Sequence, residues 1–136
     1  VTLSSFTPLL LEIDKEREKK LVKLLERFFT TPYALPFVDP TSEEYSPECG
    51  LDKRLWSGAI WINANYLMFR GLIEKGYEKK AYRIVKDSIE MVLKHGLCEF
   101  YDPSNGKPGL LASRNFSWSG LVLNMLADFK RYKSRT

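Results

Sequence analysis

Histidine and cysteine are scarce in this 136-residue chain, with one His and two Cys. Cys49 and Cys98 do not form a CxxC pair, and adding His95 still leaves too few ligands for a usual four-ligand zinc site. A disulfide has no support beyond the count, so both thiols are expected to be reduced. The lone His leaves no Ser-His-Asp arrangement, and no glycine-rich phosphate loop or metal-binding cluster occurs, so no cofactor or metal is expected. No apolar run reaches the roughly 18 residues of a membrane span. The start of the chain also lacks the charged, apolar and small-residue zones of a signal peptide. No membrane partner and a cytoplasmic location are therefore expected. An initiator Met is absent as well: the sequence begins at Val1, and the chain is expected to be a piece of something longer.

What is present points to a soluble globular domain, 44% hydrophobic and 28% charged, long enough for one unit over 1–136 with a real core. The net charge is +4, and much of it sits in Lys130-Arg131-Tyr132-Lys133-Ser134-Arg135. Nucleic-acid binding would need such cations interleaved with stacking aromatics or set on a recognition helix. A helix end whose cations suit the negative pole of the dipole explains them more simply, so no nucleic-acid partner is expected.

Hydrophobic periodicity predicts four helices. The first spans 14–29, with Asp14 as N-cap and a stripe of Leu21, Leu24, Leu25 and Phe28. The second spans 61–75 and ends at Gly76. Trp61, Ala64, Met68 and Leu72 share one face, and Ile62, Tyr66, Phe69 and Ile73 share another. No charge occurs from Gly58 through Phe69, so this helix is expected to be mostly buried. The third spans 78–95 and is one-sided. Ala81, Ile84, Val85, Ser88 and Val92 face inward, and Lys79, Arg83, Lys86, Glu90 and Lys94 face out. The fourth spans 117–132 on a stripe of Trp118, Leu121, Val122, Met125 and Phe129, with its N-terminal half expected to be buried. The fold class is all-α, with helices alternating outer, inner, outer, inner. Two long loops, 30–60 and 97–116, each lead into an inner helix. Loops of this length are often functional, and these two place aromatic residues where a pocket would form.

Three features of the loops bear on chemistry. Glu99, in "CEFYDPSNGKPG", is either a solvated acid just past a helix end or a general base. Trp56, Trp61, Phe100, Tyr101, Phe116 and Trp118 gather at the loop-to-helix junctions. They are either core, the simpler reading for Trp61 alone, or flat platforms for the apolar faces of a sugar, with Asn63, Asn65, Asn115 and Asp102 near for its hydroxyls. Asp102-Pro103-Ser104-Asn105-Gly106 reads as a turn that could pin the backbone beside Glu99.

The segment "LWSGAIWINANYLMFRGLIEKGYEKKA", followed by "EFYDPSNGKPG" and "FSWSG", resembles the C-terminal part of the catalytic domain of glycoside hydrolase family 63 over 6–128. Its relatives include trehalases, mannosylglycerate hydrolases and proteins labelled glycogen-debranching-related. The family pattern runs roughly Tyr-Trp-Arg-Gly-Pro-Ile-Trp-Ile-x-x-Asn-Tyr-Leu, then Glu-Tyr-Tyr-Asp-Pro, then Phe-Ser-Trp-Thr. The resemblance implies an arc of an (α/α)6 toroid. It implies that Glu99 is the general base of an inverting hydrolase acting on an α-glucoside or related oligosaccharide. It also places Trp56, Trp61, Asn65, Tyr101, Phe116 and Trp118 at the sugar. The chain departs from the pattern at Leu55 for Tyr, Ser57 for Arg and Ala59 for Pro. No residue matches the family's upstream general acid, and hydrolysis by this mechanism needs both carboxylates. The 136 residues alone are therefore expected to be inactive, and their open helix faces to meet the rest of the toroid or another copy. Two alternatives stay open: a non-catalytic carbohydrate-binding or protein-interaction module of the same fold, and an unrelated helical bundle whose basic surface binds a partner.

Overall fold

The computed structural model describes residues 1–46 and 56–135; Cys49 and Leu55 lie outside that range. Among the described residues four α-helices carry the fold: α1 (Lys15–Leu25), α2 (Ile62–Glu74), α3 (Glu78–His95) and α4 (Leu121–Lys133). Three 3-10 segments accompany them, Leu3–Leu10, Glu26–Thr30 and Ser117–Gly120. Among the described residues no helix is long and apolar enough to cross a membrane.

Asp14 caps α1 by accepting the Arg17 amide at 2.9 Å, and Glu16 and Glu18 in the first turn suit the positive pole of the helix. The predicted helix to residue 29 is split, because its last turn tightens into the 3-10 segment before Pro32. Val22, Leu25 and Phe28 are the fully buried stripe, while Leu21 and Leu24 are half-buried flanks. Glu18 is also buried. Lys15 at 3.0 Å and the Tyr77 hydroxyl at 3.1 Å satisfy it. Burial pushes its carboxyl up, but these partners and Lys75 outweigh that and hold it below its ordinary range.

Arg83 corrects the expectation that it faces solvent. It is half-buried, donates to the Phe29 and Thr31 carbonyls at 2.7 and 2.6 Å, and lies over the Phe29 ring. It thereby satisfies carbonyls that the end of the 3-10 turn leaves open.

The centre of the fold is α2, which packs against α3, α4 and the N-terminal 3-10 segment. Both of its apolar faces are used: Ile62, Ala64, Met68, Phe69, Leu72 and Ile73 are buried. A Cβ on Gly71 would sit 2.9 Å from the Leu9 side chain, so the missing side chain permits that close contact. The one-sided α3 has the predicted bounds and ends at Gly96, whose φ of 80° favours glycine. Its inward face includes Met91 and Asp87 as well, and Val92 is half-buried.

The expectation that the first half of α4 is buried does not hold. Ser119, Val122 and Met125 are buried, but Leu123 is 69% exposed. Only the side of α4 that meets α2 and α3 is covered by described residues. Lys133 reaches Glu78 at 2.7 Å, and the Tyr66 hydroxyl donates to Asp128 at 3.2 Å, tying α4 to α3 and α2.

The first long loop is anchored by Asp39, which is fully buried. It accepts the Thr41 amide and hydroxyl at 2.9 and 2.8 Å and pairs with Arg27. Burial pushes its carboxyl up, yet the Thr41 and Arg27 contacts outweigh burial and hold it below the ordinary value of 3.8.

Candidate active site

The two long loops are stitched together in front of α2. Isolated bridges run from Pro36 to Ile60, from Ile60 to Tyr101 and from Tyr101 to Pro108. The Ile60 amide donates to Tyr101 O at 2.8 Å, and the Tyr101 amide donates to Ile60 O at 3.0 Å. The Phe37 amide adds a bond to Ala59 O at 3.0 Å. Trp61, the next residue after Ile60, is the N-cap position of α2. The first loop, the start of the central helix and the second loop therefore share one short hydrogen-bonded frame.

That frame gathers the aromatic residues. Trp56 lies flat on Trp61, with ring centres 3.7 Å apart and planes 4° off parallel. Phe37 meets Trp56 edge-on at 4.8 Å, and Phe100 tilts against Trp61 at 5.2 Å. Trp118 stands 6.4 Å from Trp56 and 6.1 Å from Trp61, with Phe116 edge-on to it at 5.2 Å. Such pairs contribute about 0.5–1.5 kcal/mol each beyond burial. Access divides the cluster: Trp56 and Trp118 are 41% and 42% exposed, whereas Trp61 is 2% exposed. Trp56 and Trp118 thus offer ring surface, and Trp61 backs Trp56.

Glu99 sits on the second loop, directly before the buried Phe100, and is half-buried itself. Its amide donates to Ser113 O at 2.9 Å, and the Ser113 amide donates to Glu99 Oε2 at 3.2 Å. Such a carboxylate keeps lone pairs free for a water proton. Asp102 is not free in this way. Its oxygens accept the Ser104 amide and hydroxyl at 2.7 and 2.6 Å and the Asn105 amide at 3.0 Å. The Gly106 amide closes the turn onto Asp102 O at 2.8 Å, with Gly106 at a φ of 72°. The pentapeptide is a self-contained turn, and a Cβ at Gly106 would meet the Tyr33 ring at 2.8 Å.

Two residues expected at the sugar are placed elsewhere. Asn65 is fully buried, accepts the Leu35 amide at 2.9 Å, and donates to the Leu35 and Trp61 carbonyls at 2.8 and 3.1 Å. Tyr101 is fully buried, and its hydroxyl donates to Gly96 O at 2.7 Å and accepts the Cys98 amide at 3.0 Å. Burial raises the pKa of that hydroxyl. Both side chains commit their polar atoms to backbone and offer none to a ligand. Phe37 is the aromatic member that the sequence reading missed. A cavity of about 430 Å³ lies beside it, lined also by Trp56, Leu3, Leu67, Met68 and Asn63, whose Oδ1 is buried with no partner among the described residues. Glu99 does not line this cavity.

The model of the mannosylglycerate hydrolase MGH1-like glycoside hydrolase domain matches residues 1–119. The mannosylglycerate hydrolase of Thermus thermophilus is 36% identical over 90 residues, 66% of this chain and 20% of that protein. A probable mannosyl-oligosaccharide glucosidase of Schizosaccharomyces pombe is 28% identical over 145 residues, 94% of this chain and 17% of that protein. The crystal structure of a GH63 mannosylglycerate hydrolase from Thermus thermophilus in complex with glucose superposes with a TM-score of 0.77. It is 30% identical in sequence, and the match covers 93% of this chain and 29% of that one. The chain is all-α and forms an arc of the (α/α)6 helical toroid of these proteins. It spans a fifth or less of the length of these two curated relatives.

Proposed function

The chain belongs to the mannosylglycerate hydrolase MGH1-like glycoside hydrolase family, and on that premise we propose that it supplies one side of the sugar site and the general base of an inverting glycoside hydrolase. Glu99 takes a proton from a water that attacks the anomeric carbon. Trp56 and Trp118 carry the apolar faces of the sugar with Phe116, and Trp61 holds Trp56 flat from behind. One observation carries the reading. The paired bonds between Tyr101 and Ile60 fix the loop of Glu99 to the start of α2, where Trp61 stands. An acid and a stacking platform on one rigid frame is what hydrolysis at a sugar ring requires.

The second carboxylate belongs to another part of the protein. An inverting pair stands about 6.5–9.5 Å apart to leave room for water, and no residue of this chain matches the family's general acid. The 136 residues are accordingly inactive alone and act as a single unit of a larger toroid. Leu93, 81% exposed on α3, and the open side of α4 are the faces that the rest of the toroid or a second copy covers.

The substrate is an α-glucoside or a related small glycoside, mannosylglycerate included. Ser57 in place of the family arginine removes a fixed cation and alters which anionic or polar group the site prefers. That same departure supports a second reading, a non-catalytic carbohydrate-binding unit.

The test is Glu99→Gln in the full protein that contains this chain, assayed on mannosylglycerate and on a small α-glucoside. The base reading expects turnover to fall by a factor on the order of 100 to 10,000 with sugar binding retained. It also expects the wild type to release the inverted anomer, seen by proton NMR during the first turnovers. Unchanged turnover in the variant overturns the assignment, and binding with no hydrolysis by the wild type favours the second reading.

A further inference from the structure

Tyr101, expected to touch sugar, is sealed in the core by the fold. Its bonds instead converge on the segment that carries Glu99. The hydroxyl accepts the Cys98 amide at 3.0 Å, one residue before Glu99, and donates to Gly96 O at 2.7 Å, where α3 ends. The Tyr101 backbone holds Ile60 through two bonds of 2.8 and 3.0 Å. Cys98 is gripped from its other side by the Ser119 hydroxyl, which donates to Cys98 O. Arg114 adds a bond to His95 O at 3.0 Å, and the Phe116 amide one to Leu97 O at 3.0 Å.

The residues just before Glu99 are therefore held to the end of α3 by the phenol hydroxyl, with the Cys98 thiol donating to His95 O at 3.4 Å and Arg114 reaching Cys98 Sγ at 3.2 Å beside it, and that phenol's own backbone is held to the start of α2. Among the described residues, the Glu99 side chain receives a single bond of its own, from the Ser113 amide at 3.2 Å. Its aim depends on how firmly its backbone is fixed. A base must lie within hydrogen-bond reach of its water and hold the water oxygen at attack distance, about 3–3.5 Å, from the reacting carbon, and a misplacement of about 1 Å costs on the order of 100-fold in rate.

We propose that Tyr101, with Ser119 as its counterpart on Cys98, is a positioning residue that sets the reach of Glu99 toward the attacking water. This rests on Glu99 being the general base. Neither hydroxyl touches substrate. Removing either frees one side of Cys98, so the carboxylate samples positions from which it cannot hold the water.

The test uses the full protein with mannosylglycerate as the probe and compares Tyr101→Phe, Ser119→Ala and Glu99→Gln. Tyr101→Phe keeps the ring and its packing and removes only the hydroxyl. The expected result is a fall in kcat of about 10- to 100-fold at a KM within about twofold of wild type, because the sugar platform is untouched. Amide exchange at Cys98 should also rise.

A kcat within about twofold of wild type in Tyr101→Phe, alongside an inactive Glu99→Gln, overturns the positioning role and leaves the base reading standing. An active Glu99→Gln overturns the base reading, and this inference with it. If Tyr101→Phe does not fold, Ser119→Ala decides: a lowered kcat at constant KM supports the role, and an unchanged kcat overturns it.

Discussion

Asn65 separates a residue that touches sugar from one that shapes the site, and its loss can be worked out in advance. In the wild type its amide forms three bonds, two to the amide and carbonyl of Leu35 and one to Trp61 O. Asn65 and Leu35 are both fully buried, so water does not replace what Asn65→Ala removes. Each orphaned backbone group costs about 1–3 kcal/mol. Trp61 O keeps its helical bond from the Asn65 amide at 3.0 Å, so Leu35 bears most of the loss. Two such groups and the space left by the amide give a local destabilisation of about 3–5 kcal/mol. At about 1.4 kcal/mol per tenfold, amide exchange of Leu35 in the full protein should accelerate by roughly two to three and a half powers of ten. Asn65→Asp should fare no better: it keeps the acceptor for the Leu35 amide but loses the donor and brings a charge into the core. KM should rise only as far as the unlatched loop disturbs Trp61. If Asn65→Ala exchanges at Leu35 within tenfold of wild type while KM rises tenfold or more, the residue is a ligand of the sugar and the structural reasoning fails.

Two further outcomes test the frame. Asp39, held below its ordinary value of 3.8 by Thr41 and Arg27 against the opposing effect of burial, contributes stability that is present above that value and lost as pH falls through its lower folded value. Urea midpoints measured from about pH 6 down to pH 2 should drop in the acid range in the wild type and drop less steeply in Asp39→Asn; parallel curves would refute this. The isolated chain, with Leu93 and Leu123 81% and 69% exposed, should self-associate in light scattering. A folded monomer across a wide concentration range would show that those faces need no cover.

The helices are legible because their signals are local. Asp14 announces α1 and Gly96 ends α3, each by a backbone requirement that its residue type meets. The 3-10 segment at Leu3–Leu10 is harder to find, although its pattern is plain once the fold is known. Leu3, Phe6 and Leu9 are spaced by three, the repeat of a 3-10 helix, and all are buried. A reading tuned to 3.6 and 2 residues passes over that interval. Arg83 and Glu18 are missed for a different reason. Charge predicts exposure on average, and partners distant in the chain, the Phe29 carbonyl for Arg83 and Tyr77 beside the local Lys15 for Glu18, help make burial tolerable.

The candidate site is legible as a set of residue types and less so as a set of roles. Five of the six aromatics at the loop ends, Trp56, Trp61, Phe100, Phe116 and Trp118, do converge, because the Ile60–Tyr101 pairing draws both loops to the head of α2. What no spacing reveals is which side of each ring is covered. Trp56 and Trp61 share the same neighbourhood and chemistry, yet stacking leaves one 41% exposed and the other 2%. Likewise Asn65 and Tyr101 sit in the motifs where sugar ligands are expected, but their partners are Leu35, Gly96 and Cys98, which nothing near them in the pattern identifies. A sugar site needs both kinds of residue. Its exposed groups must meet the ring, and its buried polar groups must hold them within about half an ångström of the working geometry. Here the two kinds stand side by side, Trp61 near Asn65 and Glu99 near Tyr101, so the motif points to the candidate site and only the fold divides its labour.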